Sequence, residues 1–308
     1  MDNPSIYSGD PPGSTATDAT RTSTVTPEKV VKKKRIRRGG KRRFRRSLLK
    51  NSDLCKTFKI FHNNIRGVDS KVESLKRICS VIEPDVVTLN ETLHKSKRKV
   101  SIEGYATYGK NRKNTVGGGI ATLISKSHSN SVLKVGEGSE PDEYLVTRHS
   151  QFSIPINIIN VYEKVESRST NEEIEDSWYR VVTEIKKIEH RNEAFILIGD
   201  MNRHIGDLVK GNHKKISFGG KLIRDFLSSN DYVLLNSSSK CIGGPFTWYN
   251  PSCPNDDEKK SLLDIVIISK SIEKYVDEIY IDSDLVMTPG RARTAGKICY
   301  TDHYGVLV

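Results

Sequence analysis

The chain has 308 residues, of which 50 are Lys or Arg and 38 are Asp or Glu, so its formal net charge is +12. Its longest apolar runs are far shorter than the roughly 18 residues that cross a bilayer, and the N-terminus lacks a signal-peptide core. These features exclude an integral membrane protein and predict an intracellular one, nuclear or cytoplasmic. Five scattered cysteines without a Cys-x-x-Cys pair or Cys/His knuckle predict reduced, structural thiols.

The positive charge is concentrated near the N-terminus. Residues 29–50 hold 13 Lys or Arg and no Asp or Glu, which leaves 37 basic against 38 acidic residues elsewhere. The preceding residues, 1–28, are rich in Ser, Thr, Asp, Pro and Gly and cannot bury enough apolar area to fold. We therefore predict a disordered leader with a basic arm over residues 1–50 and one folded domain over residues 51–308.

The basic arm has three interpretations: a solubilising tail, a nuclear-import signal, and a sequence-independent contact with nucleic-acid phosphates. The last two use the same chemistry, so the sequence does not separate them. The predicted nucleic-acid-binding residues are Lys32, Lys33, Lys34, Arg35, Arg37, Arg38, Lys41, Arg42, Arg43, Arg45 and Arg46.

A strand and a helix open the predicted domain. Residues 58–67 have the composition of a strand, with Asn64 near its end; capping of a turn is the alternative role for this asparagine. Ser70 and Glu73 then have the spacing of a capping box, and apolar residues recur at helical period as far as Ile82.

The next predicted elements are two strands and a long helix. Residues 86–92 form an apolar run that ends in a carboxylate, Glu91, the natural metal candidate. A strand-like run from residue 154 ends at Tyr162, whose alternative role is half-buried packing. Residues 170–191 predict an amphipathic helix that begins with a capping box and places Trp178 in the core.

Two loops near the end of the chain combine buried strands with polar clusters. Gly199-Asp200-Met201-Asn202 directly follows the apolar run 194–198, and Thr301-Asp302-His303 precedes the last apolar segment. Between them, residues 222–227 predict a helix, residues 232–235 predict a strand, and Asp264 interrupts the apolar strand 261–268. A carboxylate in a buried strand needs a partner.

Taken in order, these residues resemble the endonuclease/exonuclease/phosphatase superfamily over residues 58–308. The details look closest to the apurinic-type endonuclease domain of LINE-type (non-long-terminal-repeat) retrotransposons, in a layout similar to craniofacial-development-type proteins. The motifs that carry the resemblance are Asn64-Ile65-Arg66-Gly67, Glu91-Thr92, Gly117-Gly118-Gly119-Ile120-Ala121, Gly199-Asp200-Met201-Asn202 with Ile205-Gly206, Phe246-Thr247-Trp248 and Asp302-His303. A motif is a hypothesis until its structural context is known.

The resemblance implies an α/β fold, a four-layer α/β/β/α sandwich in which two mixed β-sheets pack face to face. Periodicity alone also allows a single doubly wound sheet with helices on both faces. The implied activity is a Mg²⁺-dependent (or Mn²⁺-dependent) DNA endonuclease that leaves 3′-hydroxyl and 5′-phosphate ends. DNA is the expected partner, no small-molecule cofactor is expected, and the oligomeric state is not specified.

The resemblance also assigns roles to site residues. Asp200 would be the base that activates water, Asn202 would orient the water or the phosphate, and Tyr162 would place its phenol on the phosphate side. His303 would donate to a non-bridging oxygen, held by Asp264. The implied metal ligands are Asn64, Glu91 and Asp302, since carboxylate and amide oxygens suit a hard Mg²⁺ ion.

Other features of the sequence limit this assignment. After Tyr162 the family usually turns with Pro and often Asn, whereas this chain has Glu163-Lys164, so the substrate-side loop differs. The chain closes soon after Asp302-His303, which predicts a fragment of an element, a degraded copy or a host-adopted gene. A catalytically inactive nucleic-acid or chromatin-binding protein with the same fold is the second hypothesis. The remaining histidines are predicted to be surface or structural residues, and Trp248 a large buried anchor.

Overall fold

A computed structural model describes residues 57–94, 98–112, 117–210, 215–292 and 298–308. The predicted leader and basic arm, residues 1–50, lie outside the described residues. Among the helices of the described part, none combines the length and apolarity needed to cross a membrane.

Short strands make up most of the described chain. They are β1 (Ile60–Asn64), β2 (Val86–Asn90), β3 (Tyr105–Lys110), β4 (Ile120–Ser125), β5 (Val132–Glu137), β6 (Glu143–His149), β7 (Ile156–Tyr162), β8 (Ala194–Asp200), β9 (Tyr232–Leu234), β10 (Cys241–Gly243), β11 (Trp248–Tyr249), β12 (Lys260–Ser261), β13 (Asp264–Ser269), β14 (Ile279–Ile281), β15 (Gly290–Ala292), β16 (Ile298–Tyr300) and β17 (Val306–Leu307). The α-helices are α1 (Val72–Ile82), α2 (Asn171–His190) and α3 (Phe218–Ser228).

The two predicted capping boxes have different outcomes. At the start of α2, Thr170 Oγ1 accepts the backbone N–H of Glu173 at 3.2 Å, and the Glu173 carboxylate accepts the N–H of Thr170 at 2.9 Å, as predicted. The prediction of a capping box at Ser70 is wrong. Helix α1 begins one residue later than that spacing requires, because Lys71 occupies the N-cap position and makes no side-chain cap there. Its ammonium instead donates to the carbonyl of Arg66 at 2.7 Å.

Two mixed sheets form the centre of the fold. The seven-stranded sheet has the order β10-β14-β17-β1-β2-β4-β3, and the six-stranded sheet has the order β5-β6-β7-β8-β13-β9. With the helices they form the predicted four-layer α/β/β/α sandwich. The alternative of a single doubly wound sheet is wrong: the apolar strands divide between two sheets whose inner faces bury each other.

The core has two parts. Between the sheets, aliphatic residues from both inner faces interlock, including Ile60 and Val86 from one sheet and Ile158, Ile196 and Val266 from the other. On the outer face of the six-stranded sheet, α2 and α3 cover a second cluster that includes Trp178, Phe195 and Phe226. The prediction of Trp178 as a core residue is confirmed. Full burial of each aliphatic or phenylalanine side chain in these clusters stabilises the fold by about 1.5–3 kcal/mol.

Strand pairing brings the polar residues to one edge of the sandwich. In the parallel pair β1/β2, Asn64 lies beside Asn90, and in the parallel pair β7/β8, Tyr162 lies beside Asp200. Strand β13 runs antiparallel to β8, and its first residue, Asp264, lies opposite Asp200. The carboxyl ends of four strands therefore meet the start of β13, as in many sites built on rigid scaffolds.

Candidate active site

A buried carboxylate, Asp200, lies at the centre of this edge and is 1% exposed. Its Oδ2 accepts the side-chain N–H of Asn64 at 2.9 Å, and its Oδ1 accepts the backbone N–H of Asn202 at 2.9 Å. The backbone N–H of Asp200 donates to Oδ1 of Asn90 at 2.9 Å. Both carboxylate oxygens and the backbone are thus fixed by hydrogen bonds.

A second carboxylate, Asp264, holds the imidazole of His303. The ring Nδ1 lies 2.8 Å from Asp264 Oδ2, whereas the ring Nε2 lies 3.7 Å from Asp200 Oδ2, which is beyond hydrogen-bonding distance. The backbone of Asp264 is anchored by its N–H, which donates to Thr247 Oγ1 at 2.9 Å. The imidazole therefore lies between two carboxylates, hydrogen bonded to one and ion paired with the other.

Electrostatics fixes the charge states of these three groups. Burial raises the pKa of Asp200 to about 6, opposed by the nearby imidazolium and reinforced by Asp264. Burial alone would lower the pKa of His303, but the charges of Asp264 and Asp200 outweigh it and raise that pKa to about 10. Burial would also raise the pKa of Asp264, yet the charge and hydrogen bond of His303 hold it well below its usual range. At neutral pH the histidine is charged.

Glu91 lies just beyond the end of β2, with a left-handed backbone φ of 49°. Its Oε1 accepts the phenolic O–H of Tyr162 at 2.6 Å. Burial, and then the charge of Glu91, raises the pKa of Tyr162 far above its usual range. The phenol therefore stays protonated and acts as a hydrogen-bond donor to Glu91.

A glycine turn holds the segment that follows Glu91. The backbone N–H groups of Thr92 and Leu93 donate to the carbonyls of Gly119 and Gly118 at 2.9 and 3.0 Å. The N–H of Gly119 in turn donates to the buried carboxylate of Glu143. This glycine run, part of the motif set, thus fixes the loop that carries the glutamate.

Asp302 lies in the loop before β17 and pairs with Arg66, two residues beyond Asn64. Its Oδ2 accepts the guanidinium of Arg66 at 2.6 Å, and its Oδ1 is buried without a hydrogen-bond partner among the described residues. The preceding Thr301 donates its O–H to the carbonyl of Asn64 at 2.7 Å. This bond ties the loop before β17 to the end of β1.

Glu163, the first residue of the Glu163-Lys164 segment that departs from the family pattern, lies inside the protein. The Glu163 carboxylate is buried, and its Oε2 lies 3.6 Å from Nη2 of the buried Arg203. The carbonyl of Glu163 accepts the side-chain N–H of Asn202 at 2.8 Å. This loop therefore supports the Asp200 loop through an ion pair and a hydrogen bond.

Most of the predicted site residues come together at this edge, in two connected groups. In the first group, hydrogen bonds join Asn64 and Asn202 to Asp200 and join His303 to Asp264, and the 3.7 Å contact of His303 with Asp200 connects the two parts into one series. In the second group, Glu91 pairs with Tyr162. The ligand-type atoms of Asp200, Asp264 and His303 lie within 4.8 Å of one another and could also hold a metal ion. Trp248 is only partly buried, so the prediction of a large buried anchor is wrong; its backbone bridges to His303.

Three polar residues of the site were not predicted. His62 bonds to Asp264, Asn90 bonds to Asp200, and Asn160 accepts the Asn90 side-chain N–H at 2.8 Å; each is fully buried. The signal was a polar residue inside an apolar strand, which requires a buried partner. The sequence gives no indication of which partner that is.

No family model and no curated protein matches this sequence. Solved structures match it across 81% of its length and define its fold class, that of endonuclease/exonuclease/phosphatase proteins. One of them, an endonuclease/exonuclease/phosphatase family protein from Bacteroides thetaiotaomicron, has a TM-score of 0.55 at 15% identity, with 96% of that chain covered.

Two further structures belong to DNA-processing proteins. The 3′ phosphatase NExo from Neisseria, bound to a product DNA hairpin, has a TM-score of 0.60 at 17% identity, with 98% of that chain covered. The endonuclease domain of TRAS1, a telomere-specific non-LTR retrotransposon, has a TM-score of 0.56 at 15% identity, with 96% of that chain covered. The predicted superfamily fold is confirmed.

Proposed function

We propose that the protein is a metal-dependent phosphodiesterase of the retrotransposon-endonuclease type, which nicks DNA and leaves 3′-hydroxyl and 5′-phosphate ends. The observation that carries the proposal is the buried series in which Asn64 and His303 flank Asp200 and Asp264 orients the histidine. The fold shared with DNA-processing proteins supports the same function.

Asp200 is the general base in this proposal. With a pKa raised to about 6, it is largely ionised at neutral pH and is more basic than an ordinary aspartate. It takes a proton from water as the water oxygen bonds to phosphorus and the bond from phosphorus to the 3′ oxygen breaks. The departing 3′ oxygen then takes up a proton from solvent to become the 3′-hydroxyl. Asn64 and Asn202 keep its carboxylate from rotating.

His303 is the donor to the phosphate. Its Nδ1–H is committed to Asp264, while the 3.7 Å separation from Asp200 leaves the Nε2–H available to a non-bridging oxygen. Because both carboxylates keep the ring charged, it stabilises the negative charge that develops on the phosphoryl group.

Asn64, Glu91 and Asp302 would hold the metal ion. They offer only oxygen ligands, and the buried Oδ1 of Asp302 has no hydrogen-bond partner among the described residues, which fits a hard cation. When bound, Mg²⁺ or Mn²⁺ would supply Lewis-acid polarisation of a phosphoryl oxygen. Tyr162 would hold Glu91 in place through its 2.6 Å hydrogen bond.

We assign the cluster of Asp200, Asp264 and His303 to proton chemistry instead of metal binding. Both oxygens of Asp264 already accept hydrogen bonds from imidazoles, and His303 Nδ1 supplies one of them. A cation there would have to displace these bonds and the imidazolium charge.

A plasmid-nicking assay tests the proposed function. Purified full-length protein should convert supercoiled plasmid to open circle with Mg²⁺ or Mn²⁺ and not with a chelator. The nicks should be sealed by DNA ligase, which requires 3′-hydroxyl and 5′-phosphate ends. His303→Ala should remove most of the nicking activity, while His190→Ala, at an exposed histidine, serves as the matched control.

The second hypothesis, an inactive nucleic-acid-binding protein, makes the opposite prediction. It requires DNA binding without metal-dependent nicking across supercoiled, linear and abasic substrates. That result would refute the proposed function.

A further inference from the structure

A third titratable side chain, His62, contacts the catalytic series from behind. It lies in the middle of β1, is 0% exposed, and places its Nε2 3.0 Å from Asp264 Oδ1. Its Nδ1 lies 2.9 Å from Oγ1 of Thr88, the neighbouring residue on β2. Both ring nitrogens of this buried histidine therefore have partners.

The partners define the direction of the hydrogen bonds. Asp264 is ionised and can only accept, so Nε2 of His62 must carry a hydrogen and donate it. In a neutral ring, Nδ1 then accepts from the Thr88 hydroxyl, and in a charged ring Nδ1 donates to the same hydroxyl oxygen. The bond to Asp264 is the same in both cases.

This arrangement places Asp264 between two imidazoles. Oδ1 accepts from His62, which belongs to the seven-stranded sheet, and Oδ2 accepts from His303. Asp264 itself begins β13 of the six-stranded sheet. A carboxylate held at both oxygens cannot rotate about its side-chain torsion, so the contact across the two sheets fixes the direction in which Oδ2 points.

We propose that His62 is a positioning residue for phosphodiester hydrolysis, which holds the Asp264 carboxylate in the rotamer that directs His303 toward the reacting phosphate. The inference rests on the proposed function. Outer hydrogen bonds of this kind fix the ring orientation of catalytic imidazoles, and an error of about 1 Å in their position costs roughly 100-fold in rate.

A purely structural role is the competing explanation, because a buried carboxylate needs donors regardless of catalysis. The two explanations differ in what happens when His303 is absent. A positioning residue acts on turnover only through His303, whereas a structural residue affects the site in either background.

Steady-state nicking of a short duplex by two His62 variants tests the proposal. His62→Leu keeps the approximate volume but removes the donor; kcat should fall by about 10- to 100-fold with little change in KM. His62→Gln can place an amide N–H at the position of Nε2 and should restore most of kcat. Equal loss in both variants would overturn the proposal.

A double-mutant cycle supplies the readout that a structural role would not give. In a His303→Ala background, residual turnover should change by less than about twofold when His62→Leu is added. Additive losses would refute the positioning role. Urea unfolding of each variant identifies those that fail to fold, and the Gln variant keeps the test valid if the Leu variant is one of them.

Nuclear magnetic resonance of the imidazole nitrogens gives a test that does not depend on activity. Long-range ¹H–¹⁵N correlations should show a protonated Nε2 for His62, and the hydrogen-bonded Nδ1 proton of His303 should shift in His62→Leu but not in His62→Gln. A His62 tautomer without a hydrogen on Nε2 would overturn the inference. A parent protein that never nicks DNA overturns the proposed function, whereas nicking with an additive cycle overturns the inference alone.

Discussion

Replacing Asp200 with asparagine should make the protein more stable at neutral pH while removing its activity. The carboxylate is 1% exposed, and burial is the largest cause of its raised pKa. Keeping Asp200 ionised therefore costs folding free energy, and the shape-conserving Asp200→Asn substitution removes that cost together with the base.

The pKa shift of Asp200 gives the magnitude of the expected gain in stability. A pKa raised from 3.8 to about 6 corresponds to roughly 3 kcal/mol of unfavourable free energy when Asp200 is ionised in the folded state. The variant loses the hydrogen bond from Asn64 to Oδ2, worth about 1 kcal/mol. The net expectation is a gain of about 2 kcal/mol in the free energy of unfolding at pH 7.5.

The effect of Asp200→Asn on the free energy of unfolding depends on pH. Since the folded pKa lies above the unfolded one, the stability that Asp200 contributes is fully present below pH 3.8 and is lost as the pH rises through about 6. Urea unfolding at pH 4 and pH 7.5 should show the variant gaining on the parent only at the higher pH. Turnover should fall by about 10²- to 10⁴-fold.

The matched control is Asp207→Asn, because Asp207 is an exposed aspartate that pairs with Arg224. It should leave turnover unchanged, and because Arg224 lowers the pKa of Asp207, its replacement should reduce stability at pH 7.5 instead of raising it. A variant at Asp200 that is no more stable than the parent at pH 7.5 would refute the burial argument. One that cuts as fast as the parent would refute the assignment of the base.

Four further outcomes are expected. The kcat–pH profile should rise through about pH 6 as Asp200 ionises and fall near pH 10 as His303 loses its proton. Glu91→Gln should weaken Mn²⁺ binding, measured by electron paramagnetic resonance without DNA. Gly199→Ala should lower the free energy of unfolding by about 3 kcal/mol, because a Cβ there would lie 1.8 Å from a carbonyl oxygen of β7. Deleting residues 1–50 should flatten the salt dependence of DNA binding by about one log–log unit per lost phosphate contact, impair nuclear accumulation and leave turnover on saturating short DNA unchanged.

Each of these four predictions has a result that would contradict it. A profile without an acid limb near pH 6 would remove Asp200 as the base, and unchanged Mn²⁺ affinity would remove Glu91 as a ligand. Unaltered stability of the Gly199 variant would show that β7 and β8 can separate there at little cost. An unchanged salt slope would show that the basic arm does not contact DNA.

Local signals in the sequence predicted the elements that carry the site. The long helix α2 has a complete capping box, and the apolar runs of β1, β2, β7, β8 and β13 each end or begin with a polar cluster. The strands from β3 to β6 were not predicted as elements. Strand β5, for example, buries only its first residue fully and lacks the alternation that predicts a strand; its pairing with the next strand, β6, holds it in the sheet.

Long-range partners explain why part of the site was missed. His62 and Asp264 are 202 residues apart, and Asn90 and Asp200 are 110 residues apart. A polar residue in an apolar strand indicates that a partner exists, but only the packing of one sheet on the other determines which residue it is. The sequence indicated a surface or structural role for His62; the residue is buried, but its bond to Asp264 could not be read from the pattern.

The Gly-Asp-x-Asn motif shows how a pattern that is weak in isolation follows from physical constraints. Position 199 must be glycine because the carbonyl of Val161 lies where a Cβ would be. Position 200 must be a short carboxylate to reach both Asn64 and the imidazole from the end of β8. Position 202 has a backbone φ of 49°, which asparagine tolerates better than most residues, and its N–H and side chain bind Asp200 and the carbonyl of Glu163. Each residue of the motif thus meets a separate requirement of holding one ionised carboxylate in a buried position.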